Sequence, residues 1–345
     1  MLFACVRRYV FFFFYTQIGA TFYQLGVRYP TPKSLQYTWN FGILLLYFIC
    51  VQVMSGLFLV CYYIPETRFA FSSIEYIVRE LTGGWFLRAV HVNGVTFLFF
   101  FLYAHMFRGF FFRMGTSAHI VVWITGLFMY LIVTAIGFFG YVLPWGQMSY
   151  WAATVITNLC TFFFGANVLF WIRGGFTLGT ATIGRFFLLH YIGPFILLLI
   201  VLAHFFFLHL PGSSCVFSRS FGMYNILGRA HSPFLPYFIS KDLFVCGVCS
   251  FFFFLFVCYT PDFFVQVENY IPAIALVTPR HIVPEWYFLF FYGSLRSCEQ
   301  NFVGLFFLFF CSCFFFIFPC IECLYTSYIV QYRWWQLGCG FFLFF

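Results

Sequence analysis

Two apolar segments of this chain begin and end with histidine: HVNGVTFLFFFLYAH at positions 91–105 and HYIGPFILLLIVLAH at positions 190–204. Neither segment contains Asp, Glu, Lys or Arg. A bilayer core of about 30 Å is crossed by about 20 apolar residues in a helix that rises 1.5 Å per residue. With its apolar flanks, each segment is long enough to be a transmembrane helix.

The whole chain has the same character. Of its 345 residues, 63% are hydrophobic and 8% are charged, whereas an ordinary soluble protein is about 25% charged. This composition excludes a soluble globular enzyme, and so much apolar area to bury excludes a disordered chain. We expect an all-α polytopic transmembrane bundle with six spans: Phe41–Tyr63, Trp85–Phe107, Ile120–Leu143, Phe186–Leu210, Leu243–Tyr259 and Phe302–Ile321.

Four other segments are not expected to cross the membrane as single helices. The short run Tyr9–Tyr15 follows two arginines and suits an interfacial anchor helix. The stretch Met148–Leu178 is amphipathic, which favours a surface-lying segment. Four prolines in Pro261–Asn301 exclude one continuous helix there. The seventh run, Trp334–Phe345, is too short to span a bilayer of ordinary thickness.

The distribution of positive charge predicts the orientation. If successive loops alternate sides, ten of the 17 Lys and Arg residues and the whole net charge of +8 fall on the side of the N-terminus. Because Lys and Arg are enriched on the cytoplasmic side of membrane proteins, we expect the N-terminus to face the cytoplasm-like compartment.

The spacing of four histidines indicates a metal-binding function. His91 and His105 are 14 residues apart, and so are His190 and His204. On an α-helix, 14 residues turn by about 1400°, about 40° short of four turns, and rise about 21 Å. Each helix therefore presents two imidazoles on one face, and two such helices side by side form two stacked bis-histidine sites. Paired imidazoles suit haem iron that transfers electrons without binding a substrate, although intramembrane histidines also hydrogen-bond neighbouring helices.

Glycines repeat the same period on two further spans. Gly42 and Gly56 lie 14 residues apart, as do Gly126 and Gly140. A flat macrocycle wedged between helices needs a missing side chain where the backbone approaches it, and glycine provides that space. Tight helix packing is the alternative explanation of such glycines.

Three arginines lie near the histidines at the predicted membrane faces. Arg88 and Arg185 precede the first histidine of each pair, and Arg108 follows His105. Arginine pairs well with carboxylates, so these residues are candidates to bind haem propionates. Snorkelling of their side chains to lipid headgroups is the alternative.

Two motifs extend the pattern to a family resemblance. The chain carries GYVLPWGQMS at positions 140–149 and PEWY at positions 284–287. With the doubled histidine spacing, it resembles cytochrome b of the respiratory bc1 complexes from about Pro30 to Ile321. The resemblance implies that His91 and His190 ligate a low-potential b haem and that His105 and His204 ligate a high-potential one.

The resemblance also implies two quinone sites. Quinol would be oxidised near Glu285, on the face opposite the N-terminus, where a partly desolvated carboxylate can accept a proton. The residues expected around it are Tyr287, Tyr292, Tyr141, Phe138 and Trp151. Quinone would be reduced near the high-potential haem, at a site implied to contain His209, Ser213, Lys241 and Asp242.

The implied activity is that of a ubiquinol–cytochrome c oxidoreductase coupled to proton translocation. Its implied partners are an iron–sulfur (Rieske) subunit, cytochrome c1 and accessory subunits in a homodimeric complex, with membrane lipid around it and no nucleic acid. The expected location is the mitochondrial inner membrane, with a bacterial plasma membrane as the alternative. We expect residues 1–210 to form a four-helix di-haem core and residues 211–345 to carry the quinol site and peripheral helices.

The sequence departs from the family pattern at two places. It has Trp151-Ala152-Ala153-Thr154 where the family usually has Trp-Gly-Ala-Thr, and the extra methyl group of Ala152 is expected to crowd the quinol-oxidation pocket. The family normally has eight spans, whereas this sequence stops within the seventh, so another subunit is expected to cover the sixth.

Two other classes of function stay open at this point. A di-haem membrane anchor of another kind would pass electrons from a soluble dehydrogenase to quinone and would not need Glu285. A haem-free transporter or structural subunit would use its histidines for helix packing. The CxxC pairs at positions 246–249 and 320–323 lie in or beside apolar helices, where structural zinc sites are not expected.

Overall fold

The computed structural model describes residues 19–20, 23–24, 26–33, 35–112, 119–213, 231–297, 303–306, 310, 313 and 316–317. Within these residues the regular secondary structure is helical, apart from one short antiparallel pair, β1 (Pro30–Pro32) with β2 (His231–Pro233), and an isolated bridge between Gly146 and Pro272. The α-helices are α1 (Phe41–Val60), α2 (Ala70–Arg79), α3 (Gly84–Phe111), α4 (Ile120–Val142), α5 (Gln147–Arg173), α6 (Thr180–His209), α7 (Ile239–Tyr259) and α8 (Leu289–Arg296).

Five helical segments of the described part are long and apolar enough to cross a membrane: Tyr37–Val60, Gly84–Phe111, Ile120–Val142, Thr180–His209 and Phe234–Tyr259. They correspond to the first five predicted spans. The sixth predicted span is described only in fragments. The predicted N-terminal anchor and the seventh run lie outside the described residues.

Span boundaries differ where polar residues extend a helix. Helix α6 begins at Thr180, ahead of the predicted Phe186. Its first turn is stabilised because the Thr182 hydroxyl accepts a hydrogen bond from the Gly179 N–H, at 3.1 Å. Capping of this kind satisfies free N–H groups without adding hydropathy, so a search for apolar runs misses it.

Four helices form the bundle that positions the site. Helix α1 packs along α3, and α4 packs along α6. The long transmembrane helix α7 lies against α3 and α1, where the fully buried Phe253 ring meets the Phe48 ring edge-on with a centroid separation of 5.3 Å.

The two segments predicted not to span the membrane also fold as separate pieces. Helix α5 covers most of the stretch 148–178, is not among the candidate spans, and breaks at Gly165, whose φ of 76° favours glycine. The proline-containing stretch 261–301 forms 3₁₀ turns at Val267–Tyr270 and Trp286–Phe288 before α8. The prediction that it is not one continuous helix is confirmed for the residues described.

Candidate functional site

Two cavities lie one above the other inside the bundle of α1, α3, α4 and α6. Their empty volumes are about 1170 and 1190 Å³, counting the open space at their mouths, which is large for a small-molecule site. His91 and His190 line the first cavity. His105 and His204 line the second. The structure therefore brings together the four histidines that the sequence selected, in two pairs.

The first cavity holds its two imidazoles on opposite sides of the bundle, with their ring planes nearly perpendicular. The ring centroids of His91 and His190 are 6.2 Å apart, with an interplanar angle of 84°. His91 Nδ1 lies 2.9 Å from Ser55 Oγ, whose own hydroxyl donates to the Val51 carbonyl at 2.6 Å. His190 Nδ1 lies 2.9 Å from the Ile136 carbonyl. Both Nδ1 atoms therefore donate, which leaves both Nε2 atoms unprotonated and able to bind a metal.

The second cavity repeats the pairing of two imidazoles, and one of its rings, His204, repeats the contact between Nδ1 and a hydroxyl. The ring centroids of His105 and His204 are 6.5 Å apart, with an interplanar angle of 60°. His204 Nδ1 lies 2.9 Å from the hydroxyl of Thr125, which donates to the Val121 carbonyl at 2.8 Å. An Nη atom of Arg108 lies 3.4 Å from His105 Nδ1.

The glycines meet the histidine rings themselves. A Cβ atom on Gly56 would lie 3.2 Å from His91 Cε1, and one on Gly126 would lie 3.4 Å from His204 Cε1. A Cβ on Gly42 would be 3.6 Å from His105 Cε1, and one on Gly140 would overlap the His190 ring. Each glycine thus makes room for the imidazole of the adjacent helix and also lines one of the two cavities. That the glycines leave space for a macrocycle stays a prediction.

The three arginines do not share one role. Arg88 lines the first cavity and Arg108 lines the second. Arg185 is not among the residues that line either cavity; its guanidinium donates to the carbonyls of Trp171 and Ile172, at 2.6 and 3.1 Å. The free carbonyls at the end of α5 attract a cation, which accounts for these two hydrogen bonds. The propionate contact of Arg185 stays a prediction.

A layer of four aliphatic side chains separates the two cavities, one from each helix. They are Ile49, Leu98, Val133 and Leu197, and they line both cavities. On each helix, this residue lies seven positions from each of the two glycines or histidines that are 14 residues apart. Sequence reasoning did not select this layer, although those midpoints were a usable signal.

Glu285 is buried in the connection between α7 and α8, with 7% of its surface exposed. Burial raises the pKa of the Glu285 carboxyl to about 7, because desolvation disfavours the charged form. The carboxyl therefore changes protonation state near neutral pH, which suits a proton acceptor.

Aromatic packing connects Glu285 to the first cavity. Tyr287, two residues after Glu285, stacks on Phe99 with a centroid separation of 4.4 Å. Phe99 lines the first cavity. The Tyr287 carbonyl accepts a hydrogen bond from Tyr103, at 2.5 Å. Burial, followed by the negative charge of Glu285 and then Tyr141, raises the pKa of Tyr287 well above its ordinary value. The structure thus groups Glu285, Tyr287 and Tyr141.

The other residues predicted around Glu285 have their own contacts. The hydroxyl of Tyr141 and the indole nitrogen of Trp151 are buried, with no partner in the part of the chain that the structure describes. Phe138 packs on Phe186 with a centroid separation of 5.9 Å. Tyr292 accepts a hydrogen bond from Arg296 on α8, at 3.0 Å.

The residues predicted for the second quinone site contact the segment before α1. The His209 ring meets Tyr29 edge-on at 4.5 Å. Asp242 accepts a hydrogen bond from Asn40 at 2.5 Å, and Lys241 donates to the Leu35 carbonyl at 2.8 Å. Ser213 follows α6 and is half-buried. All four predicted residues lie among the described residues, but the contacts of His209 and those of Lys241 and Asp242 form two separate groups.

The fold and the site together define a polytopic helical membrane protein with two stacked imidazole pairs, the arrangement that a membrane b-type cytochrome requires. Residues 26–212 match the family described as cytochrome b/b6/petB, and residues 272–345 match the family described as cytochrome b (C-terminal)/b6/petD. The chain belongs to the cytochrome b family.

Its relatives agree with this assignment. The chain is 44% identical to cytochrome b of Dictyostelium discoideum over 289 residues, covering 82% of this chain and 72% of that protein. It is 41% identical to cytochrome b/c1 of Bradyrhizobium diazoefficiens, covering 81% of this chain and 40% of that protein. A solved chain of a hyperthermophilic respiratory complex III superposes with a TM-score of 0.83 at 28% identity, covering 94% of this chain and 89% of that one.

Membership has direct consequences. The chain is a cytochrome b subunit of a complex III-like respiratory complex, embedded in a membrane by several spans, and its family implies binding of b-type haem. The predicted family and the all-α fold class are therefore confirmed, and a haem-free transporter is set aside. Mitochondrial and bacterial relatives are both present, so the compartment stays a prediction.

Proposed function

We propose that this chain binds two b haems and catalyses quinol oxidation at one membrane face and quinone reduction at the other. The observation that carries the proposal is the separation of the paired imidazoles. An imidazole nitrogen binds a metal at about 2.0–2.1 Å and lies roughly 1.1 Å from its ring centroid, so two imidazoles on one ion hold their centroids about 6.3 Å apart. The separations of 6.2 and 6.5 Å fit this value.

The residues that would hold the groups follow from the cavity linings. His91 with His190, and His105 with His204, would supply the nitrogens that bind the haem iron. A b-type haem bound in this way supplies a one-electron carrier. Arg88 in the first cavity and Arg108 in the second would face its carboxylates. In support, Arg108 Nε is buried without a partner among the described residues.

At the face near the first cavity, the chain's own contribution to quinol oxidation is proton removal. Glu285 is positioned by the 3₁₀ turn that follows it and by the stack of Tyr287 on Phe99. With its pKa raised to about 7 by burial, its carboxylate is a stronger base than an exposed glutamate. It would accept a proton from a quinol hydroxyl, and the aromatic wall would exclude water.

At the opposite face, His209 and Asp242 would hydrogen-bond the quinone carbonyls and deliver protons, with Ser213 and Lys241 beside them. Proton release at one face and uptake at the other would build a gradient across the membrane. We further propose the Rieske iron–sulfur subunit and cytochrome c1 as partners in a homodimeric complex, the mitochondrial inner membrane as its location, and the division at residue 210 as the domain boundary.

The overall activity is tested with the purified complex that contains this chain. We expect it to reduce cytochrome c with added quinol, and we expect blocking of either quinone site to stop steady-state turnover. A complex that holds two b haems but passes electrons only from a soluble dehydrogenase to quinone would contradict the proposal in favour of a di-haem anchor.

The glycine contacts predict graded effects on haem binding. Gly140→Ala is expected to remove most of the haem held by His190, because its methyl group would overlap the imidazole. Gly42→Ala is the matched control, because its methyl group would lie in ordinary contact, 3.6 Å from His105 Cε1. Haem per complex, measured by pyridine haemochrome absorbance, distinguishes them. Equal haem content in both variants would refute the role assigned to the glycines.

Ala152 predicts a difference in inhibitor binding. The half-buried Ala152 stands where the family usually has glycine. Its methyl group is expected to weaken binding of methoxyacrylate-type inhibitors by about 5- to 150-fold, since overpacking a site costs about 1–3 kcal/mol. Turnover is expected to be largely kept. Titration of the wild-type complex beside Ala152→Gly measures this; unchanged affinity in the variant would dismiss the prediction.

A further inference from the structure

His119 is a buried histidine that the proposed function has not used. It is the residue directly before α4, and 6% of its surface is exposed. Its backbone carbonyl accepts a hydrogen bond from the Trp123 N–H, at 3.0 Å. Its side chain lines the second cavity, the same cavity that His105 and His204 line. No sequence pattern selects His119, since a histidine at a helix end is ordinary.

The two nitrogens of the His119 ring have different surroundings. Nε2 lies 3.0 Å from the carbonyl oxygen of Gly212, just beyond the end of α6. Because a carbonyl can only accept, Nε2 carries a proton and donates it. Nδ1 is fully buried and has no partner in the described stretches of the chain. A buried polar atom without a partner is costly in a finished structure, which indicates that a ligand atom completes this site.

The charge around the second cavity indicates what that ligand atom is. Arg108 lines the same cavity and has a buried Nε atom without a partner among the described residues. Its guanidinium lies 5.3 Å from the centre of the Trp39 ring, and the Trp39 indole nitrogen is also buried and unpartnered within that part of the chain. Donors of this kind converge on an anionic oxygen, and a carboxylate can accept from several of them.

We propose that His119 binds a carboxylate of the haem in the second cavity, donating through Nδ1 while Nε2 donates to Gly212. This hydrogen bond would offset part of the negative charge of the carboxylate and would thereby favour the reduced haem. His119 is thus a positioning residue that links the N-terminal end of α4 to the C-terminal end of α6 through the bound group. This inference rests on the proposed di-haem function.

Two substitutions separate ligand binding from a purely structural role. In His119→Gln, the amide nitrogen reaches the position of Nε2, so the bond to Gly212 is kept and the donor to the ligand is lost. In His119→Asn, the amide nitrogen takes the position of Nδ1, so the donor to the ligand is kept and the bond to Gly212 is lost. The two variants are matched in charge and in chemistry.

The measurement is a redox titration of both b components in the intact complex. We expect His119→Gln to lower the midpoint potential of the component in the second cavity, by more than His119→Asn does, and to leave the other component unchanged. A larger effect of His119→Asn would overturn the inference, because it would assign His119 to the Gly212 contact alone. Unchanged potentials with a raised KM for quinone would also overturn it, since the ligand would then be quinone.

The wild-type titration keeps this test separate from the proposed function. If the wild-type complex shows no pair of b components, the di-haem proposal itself fails. If the pair is present and His119→Gln titrates like the wild type, only the assignment of His119 fails.

Discussion

A complex that carries His91→Ala is expected to lose one of its two b-type components completely, with the other kept. The His91 ring faces His190 at a centroid distance of 6.2 Å, and Ser55 fixes its Nδ1. Without it, the first cavity lacks one of the two nitrogens that would bind the haem iron. The aliphatic layer of Ile49, Leu98, Val133 and Leu197 isolates the second cavity from the change. The remaining component is therefore expected to keep its potential.

His281→Ala is the control for this variant, because His281 is exposed and lies in the loop before Glu285. We expect it to retain both components. His105→Ala is expected to remove the other component and to leave the first in place. Loss of the same component in His91→Ala and His105→Ala would contradict the assignment of these histidines to different cavities.

The second large effect is expected at Glu285. Glu285→Gln keeps the size and polarity of the side chain but cannot accept a proton from quinol. A positioned base contributes about 10²–10⁴-fold to a rate, so we expect quinol oxidation to fall by about a hundredfold or more. Both haems should stay bound, because the tyrosine stack on Phe99 does not use the carboxyl.

The raised pKa of Glu285 also predicts how the rate of quinol oxidation changes with pH. Burial raises the pKa of Glu285 to about 7, and only the deprotonated form can act as a base. The rate of quinol oxidation is therefore expected to rise as pH increases through about 7, and this rise should be absent in Glu285→Gln. Glu268→Gln is the matched control, because Glu268 is exposed in the same connection. A Glu285→Gln complex that oxidises quinol at the normal rate would favour the di-haem anchor.

Much of the fold could be predicted because the lipid environment restricts the chain to few solutions. Backbone groups in a bilayer must be paired within a segment, so a long apolar run such as Ile120–Leu143 has to be helical. The observed helix, Ile120–Val142, differs from it by one residue. The histidine pairs were predictable for the same reason, since the helical period fixes which residues share a face.

Contacts between elements could not be predicted in this way. The helical period places Arg185 near His190, but it does not reveal the carbonyls of Trp171 and Ile172 that bind its guanidinium. Those carbonyls belong to the end of α5, which reaches Arg185 only after the chain has folded. Likewise, the role of His119 could be inferred only from the folded structure, in which Nε2 lies beside the Gly212 carbonyl and Nδ1 is buried without a partner among the described residues.

The central claim is that two haems are stacked between four helices, and a redox-titrated optical spectrum of the purified complex tests it most directly. We expect two low-spin b-type components with separated midpoint potentials, each lost on substitution of its own histidine pair. A spectrum with a single b component in this subunit, or with none, would contradict the account. The 14-residue spacings would then have to be explained by helix packing.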